Sequence, residues 1–310
     1  MYNTKYCIMI KRSIFIGSPC HLKTTDEQLV IQYSHVKGQE EMTDKTVPIE
    51  DIGIIILDHE QITLSHRLIE KLLDNNAALV TCNEKHLPTG MLLNLDGNST
   101  QAERFKYQQE ATEPLKKQLW QQTVKQKIAN QAAVLNHFNI DCGRLMELSK
   151  AVKSGDSDNY EAQAAAFYWK VLFPDAWNFV RHREGAAPNN LLNYGYSIVR
   201  ATVARSLVGS GLLPTLGIFH HNKYNAYALA DDIMEPYRPY VDLIVRQIID
   251  ETSNIEILTK ELKARLLQIP SMDVMIDGEK SPLMNATQRS SASLAKCYSG
   301  ESRKLIYPEM

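Results

Sequence analysis

No stretch of the 310-residue chain approaches the roughly 20 consecutive apolar residues that span a bilayer. Its opening residues, MYNTKYCIMIKRS, lack the long apolar core of a signal peptide. Cysteine is sparse. Cys7, Cys20, Cys82, Cys142 and Cys297 are odd in number and scattered, with no CxxC or Cys/His zinc spacing. That pattern excludes a disulfide framework or a zinc finger, and free thiols in the cytoplasm are expected. Nor is there a GxxxxGK[ST] loop, a GxGxxG after a strand, a GxSxG elbow or an HExxH helix. Nucleotide hydrolysis, dinucleotide redox, hydrolase-elbow and zinc-protease chemistry therefore have no support. A basic excess is missing too: the net charge is −2, where a nucleic-acid binder is more often basic. A total says little about a local patch, however, and arginine and lysine gather late in the chain.

What is present is ordinary for a soluble two-domain protein: 44% hydrophobic and 23% charged residues. The first part reads as β-rich, with short apolar runs such as Ile54–Leu57 set between turn residues. One amphipathic helix interrupts it, because Leu64, Leu68, Leu72 and Ile69, Leu73 fall on one side. A buried strand, AALVTCN, and a last strand and turn, TGMLLNLDGN, follow. From Ser99 the texture turns to Gln, Ala, Lys and Glu, which favour helix. Helical patterns recur over 143–153, 160–173, 189–209, 227–251 and 256–268. The expected fold class is α+β, with a β-rich domain over 1–98 and an all-helical domain over 99–310. Residues 270–310 read as a partly irregular tail.

The densest chemistry lies in Gly217–Pro239, GIFHHNKYNAYALADDIMEPYRP. His220 and His221 are followed by Asp231, Asp232 and Glu235. Asp232 and Glu235 are three apart and share a face on a helix. The loop-like NKYNAY lets His220 fold back over the first turns of that helix. The acids sit among Leu229, Ile233 and Met234, so at least one lies near the apolar face and needs a partner. One imidazole with carboxylate oxygens suits Mg²⁺ or Mn²⁺ better than structural zinc. Glu161 opens the helix EAQAAAFYWKVLF and reads either as a partly buried ligand or as a charge favoured by the helix dipole. Arg181, Arg183, Arg200 and Arg205 offer bidentate forks for phosphate, or plain surface charge. The tail carries Arg289, Lys296, Arg303 and Lys304 beside Tyr298 and Tyr307, a mix able to track a nucleic-acid backbone.

Taken together, YEAQAAAFYW, PNNLLNYGYSIVRA and LGIFHHNKYNAYALADDIMEPYRP resemble the CRISPR-associated endonuclease/integrase, the catalytic subunit of the spacer-acquisition complex. DIGIIILDHEQITLSHRLIEKLLDNNAALVTCN is similar to that family's β domain, so the resemblance covers nearly the whole chain. The HHN form and the DDIMEPYRP ending are most similar to members from type II systems. The resemblance implies an N-terminal β-sandwich-like domain for dimerisation and partner contacts, joined to a helical catalytic domain. It places the metal ligands on Glu161, His220 and Glu235, with Asp232 as an accompanying acid and His221 as an ambiguous neighbour. Where many relatives have Arg after the E-A-x-x-A core, this chain has Ala166. The implied reaction joins 3′-OH ends of short duplex DNA to repeat boundaries of the CRISPR array by transesterification, with Mg²⁺ or Mn²⁺. Arg183, Arg200 and Arg205 become candidate DNA contacts. The implied assembly is a homodimer bridged by a small ferredoxin-fold subunit in a heterohexamer, without membrane association. A metal-dependent endonuclease on branched DNA, or a non-catalytic DNA-binding scaffold, are the alternatives.

Overall fold

The run IGIIIL, apolar but for its glycine, forms β5 (Ile52–Leu57) and is buried along its whole length. Such a strand belongs inside a sheet covered on both faces. In the computed structural model it lies between β1 (Arg12–Ile16) and β7 (Ala78–Cys82), parallel to both, and β8 (Pro88–Leu92) pairs antiparallel to β7. A second sheet runs in the order β4 (Lys45–Pro48), β3 (Gln28–Tyr33), β2 (Cys20–Thr25), β6 (Ile62–Leu64). The structure describes residues 11–33, 43–84, 86–173, 179–182, 185–252 and 254–310.

The predicted amphipathic helix is α1 (His66–Asp74), capped by Ser65, whose hydroxyl accepts from the Leu68 amide. It lies in the crossover that carries the chain towards β7. Its buried Leu68 and Leu72 join Leu22, Leu29, Ile52 and Ile55 in one hydrophobic cluster fed by both sheets. The unit is thus β-rich as expected, two sheets with parallel pairings and the one predicted helix. It forms one of two compact units, Met1–Asn94; the other is Leu95–Met310.

The second unit holds α2 (Gln101–Gln109), α3 (Glu113–His137), α4 (Gly143–Ala151), α5 (Tyr160–Leu172), α6 (Asn189–Gly209), α7 (Ala228–Met234), α8 (Arg238–Glu251), α9 (Lys260–Leu266) and α10 (Leu283–Tyr298). Most of α6 is buried, and its interior includes the polar Asn189, Thr202 and Ser206 besides the apolar face. A Cβ on Gly195 of α6 would stand 2.4 Å from Val241 of α8, so glycine is what lets these two helices approach so closely. The pattern over 227–251 is two helices, not one. Glu235–Tyr237 forms a tight 3₁₀ turn between α7 and α8, where Pro236 cannot supply an amide to the helix ladder.

The all-helical expectation needs correction. β9 (Asp273–Ile276), β10 (Glu279–Pro282) and β11 (Pro308–Glu309) form an antiparallel sheet in the order β10-β9-β11. Asp277 and Gly278 make the hairpin turn, with φ of 51° and 76°. The supposed irregular tail is therefore a hairpin, α10 and a returning strand. Tyr298 and Tyr307 are buried and Arg289 pairs with Asp277 and Glu279, while Lys296, Arg303 and Lys304 are exposed. Among the described residues, no helix is long and apolar enough to cross a membrane.

Candidate metal and nucleic-acid site

His220 lies in the loop before α7, and the loop does fold back. The carboxylate that receives it is Asp232, which is fully buried. Asp232 Oδ2 accepts from the amides of Ile218 (2.7 Å) and Phe219 (3.0 Å), and Oδ1 from the amide of His220 (3.2 Å). His220 Nδ1 meets Asp232 Oδ1 at 2.5 Å. One buried carboxylate thus fixes both the loop backbone and the imidazole. With Nδ1 committed to Asp232, Nε2 is the nitrogen left for a ligand. The Asp232 hydrogen bond raises the His220 pKa above the ordinary imidazole value, against partial burial; the charges of Asp232, Glu235 and Glu161 add to the rise. The ring packs edge-on against Trp120 of α3, and Phe219 stacks on the same indole at 4.2 Å. His221 is exposed and lines a groove of about 360 Å³ with His220, Lys116, Gly217 and Lys223.

Glu161 stands in the first turn of α5. Asp156 caps that turn: its two oxygens accept from the Tyr160 and Glu161 amides, each at 2.9 Å. Glu235 stands at the α7–α8 break. The two carboxylates meet at a residue that the sequence reading did not single out, Lys127 of α3. Its Nζ is 2.6 Å from Glu161 Oε1 and 2.6 Å from Glu235 Oε2. Arg238 donates from Nε to Glu235 Oε1 at 2.8 Å, and its guanidinium lies over the Tyr196 ring. Burial opposes the charge on Glu235, but Arg238 and Lys127 outweigh it and hold the carboxyl down to about 2. Burial likewise opposes the Lys127 ammonium; Glu235 and Glu161 reverse that and raise its pKa. Behind this group lies a cavity of about 170 Å³ lined by Lys127, Gln131, Trp169, Arg181, Glu235 and Asp242, among others.

The remaining candidates are dispersed. Arg200 Nε binds Asp231 Oδ1 at 2.6 Å, and Asp231 also accepts from Asn225. Arg205 is 7% exposed, and burial lowers its pKa to about 10. A guanidinium so enclosed does not suit the DNA contact expected of it. Arg183 lies outside the described residues.

The donor set fits a hard divalent cation in kind: two carboxylates, and one imidazole whose Nδ1 is held by Asp232. Among the described residues, however, no three His, Cys, Asp or Glu side chains converge closely enough to hold an ion. Lys127 stands between the two glutamates. A signal for it existed: Val124, Lys127, Ile128 and Gln131 share the buried face of α3, where a lysine demands a counter-charge.

The family model for CRISPR associated protein Cas1 matches residues 14–259. The chain is 36% identical over 305 residues to the CRISPR-associated endonuclease Cas1 of Neisseria meningitidis serogroup C (strain 8013), with 97% of each covered. Its fold is similar to that of a casposase bound to integration product, with a TM-score of 0.78 at 20% identity, over 95% of this chain and 92% of that one. It is also similar to a chain of a Cas6-RT-Cas1–Cas2 complex, with a TM-score of 0.71 at 18% identity, over 95% of this chain and 36% of that one. The family match runs from β1 through most of the helical unit and takes in Glu161, His220 and Glu235. This chain belongs to the Cas1 family.

Proposed function

We propose that the chain is the metal-dependent DNA integrase of CRISPR adaptation. The observation that carries this reading is the meeting of Glu161 and Glu235 at one cationic point, beside an imidazole whose Nδ1 is held by Asp232. Glu161, His220 and Glu235 would hold Mg²⁺ or Mn²⁺. Such an ion would acidify the attacking 3′-hydroxyl and offset negative charge at phosphorus. The chain's own part is positional. Asp232 orients His220 and keeps its second nitrogen available. Arg238 keeps Glu235 ionised across the physiological range. Lys116 and Lys223, at the groove beside His220, would receive the DNA backbone. In the reaction, the 3′-oxygen of the incoming duplex forms a new bond to phosphorus. The bond to the repeat strand's own 3′-oxygen breaks, and that oxygen takes up the proton. One phosphodiester replaces another, so no external energy is needed.

Residues 1–98 would supply dimerisation and partner contacts, and residues 99–310 the metal and DNA site. The joining of Cas1 and Cas2 in the named complex supports a small second subunit, expected to have a ferredoxin fold, bridging homodimers into a heterohexamer. The casposase bound to integration product supports joining as the reaction. A second reading, endonuclease action with water as nucleophile, is favoured by the name of the Neisseria relative and would use the same residues. The deciding experiment mixes the protein, with and without its small subunit, with a 3′-OH duplex, a supercoiled repeat-bearing plasmid, and Mn²⁺ or Mg²⁺. Covalent joining that falls at least about a hundredfold in His220→Ala supports the integrase. Metal-dependent cutting without joining supports the nuclease. A folded protein that binds DNA and gives no metal-dependent product overturns both.

A further inference from the structure

Lys127 fills the place that a metal ion shared by Glu161 and Glu235 would need. Its ammonium is 2.6 Å from one oxygen of each. A divalent cation bonded to the same two oxygens, at about 2.1 Å from each, leaves no room for that ammonium between them. The lysine also carries the same sign of charge, so it competes in both position and potential. We propose that Lys127 is a tethered competitor for the metal, and that its ammonium must leave the Glu161–Glu235 pair before both carboxylates bind a divalent ion. This inference rests on the metal-site reading above.

The structure also supplies somewhere for the ammonium to go. Gln131 lies four residues on along α3, on the same buried face, and is 3% exposed. Its Oε1 is buried and has no hydrogen-bond partner. Gln131, Lys127 and Asp242 all line the cavity of about 170 Å³ beside Glu235, as do the guanidiniums of Arg181 and Arg238. A change of side-chain rotamer carries the ammonium from the carboxylate pair into that cavity, towards an unused acceptor. The orphaned Gln131 oxygen and the doubly paired lysine are then two ends of one movement. An outgoing charge of one is exchanged for an incoming charge of two, which favours divalent over monovalent cations at this point. The exchange also weakens the apparent affinity by the stability of the resident ion pair.

The test is Mn²⁺ binding to the full chain, read by the electron paramagnetic resonance of free Mn²⁺ and by calorimetry. Binding at the site is defined as the part lost in Glu235→Gln. Lys127→Met keeps most of the side chain's packing and removes the competitor; it is expected to bind Mn²⁺ about tenfold more tightly than the wild type, or better. Lys127→Arg restores the charge and is expected to bind no more tightly than the wild type. If Lys127→Met folds poorly without metal, its melting temperature across an Mn²⁺ titration gives the same comparison, with the rise setting in at about tenfold lower concentration. A crystal of the wild type soaked in Mn²⁺ reads the movement directly, with Nζ expected beside Gln131. Equal or weaker binding in Lys127→Met overturns the inference, as does a Mn²⁺-loaded structure with Nζ still on both glutamates. A wild type with no binding sensitive to Glu235→Gln overturns the metal-site reading itself, and the inference with it.

Discussion

A single buried carboxylate does much to shape this site. Asp232 accepts three backbone amides and the His220 ring while wholly removed from solvent. Asp232→Ala would take the shared acceptor from four donors, one of them the buried Ile218 amide. We expect a loss of about 3–5 kcal/mol in urea unfolding, the range for breaking a buried charged network. Asp232→Asn keeps one acceptor oxygen and should lose less, about 1–3 kcal/mol. It should still lower joining activity roughly 10–100-fold, because the imidazole loses its fixed tautomer. An Asp232→Asn protein as stable and as active as the wild type would show that the network holds nothing. The residue types of this site were legible beforehand: a loop histidine ahead of acids among apolar residues calls for a partner. What was not legible is which acid does what. Spacing put Asp232 and Glu235 on one face, yet the two acids take different partners, His220 and Lys127. Lys127 escaped notice because a lone lysine is ordinarily solvated. Its counter-charges come from residues 34 and 108 positions away, a distance that no local pattern spans.

Between residue and domain, the turn before His220 is where the backbone has least room. A Cβ on Gly217 would stand 2.3 Å from the His220 carbonyl oxygen and 2.9 Å from Asp232 Oδ2. Backbone cannot yield as a flexible side chain does, so Gly217→Ala must open the turn. We expect a loss of about 1–3 kcal/mol, the usual cost of overpacking. Joining activity should fall by more than that loss of stability explains, because His220 moves with the turn. Urea unfolding beside an integration assay separates the two effects; unchanged activity would mean that the turn does not position the ring. At this scale the sequence was readable wherever one face is apolar: α1, α4, α5, α6 and α9 lie close to their predicted spans. It misled where a short local signal had to outweigh composition. Asp277-Gly278 is a strong hairpin signal, but the flanking strands are four residues each and one alternates buried with exposed side chains. The pairing of β9 with β11 joins residues about thirty apart, which a reading of the tail by itself cannot supply.

Over the whole molecule, the charge buried with Asp242 should govern how the helical unit responds to pH. Asp242 is 1% exposed, and burial pushes its carboxyl up to about 7, against the hydroxyls of Tyr196 and Tyr168 and the charges of Arg238 and Arg181. Those four groups come from α5, α6, the start of α8 and the segment before α6, so the carboxyl is surrounded. In the unfolded chain the same group titrates near 3.9. Between about pH 4 and 7 the folded protein therefore holds a proton that the unfolded chain has released, and this group's contribution to stability declines as pH rises through that window. Glu235 acts in the opposite sense: held at about 2, it stabilises above its unfolded value and loses that contribution only as pH falls towards 2. All three tryptophans, Trp120, Trp169 and Trp177, follow Leu95 in sequence, so fluorescence during urea unfolding reports on the second unit alone. In Asp242→Asn, the amide oxygen can accept from one tyrosine and the amide nitrogen can donate to the other, with no charge to bury. Its stability should vary less between pH 5 and 7.5 than that of the wild type. Near pH 8 it should exceed the wild type by on the order of 1–3 kcal/mol, the cost removed with the ionised form. Parallel pH profiles for the two proteins would place the titrating group elsewhere.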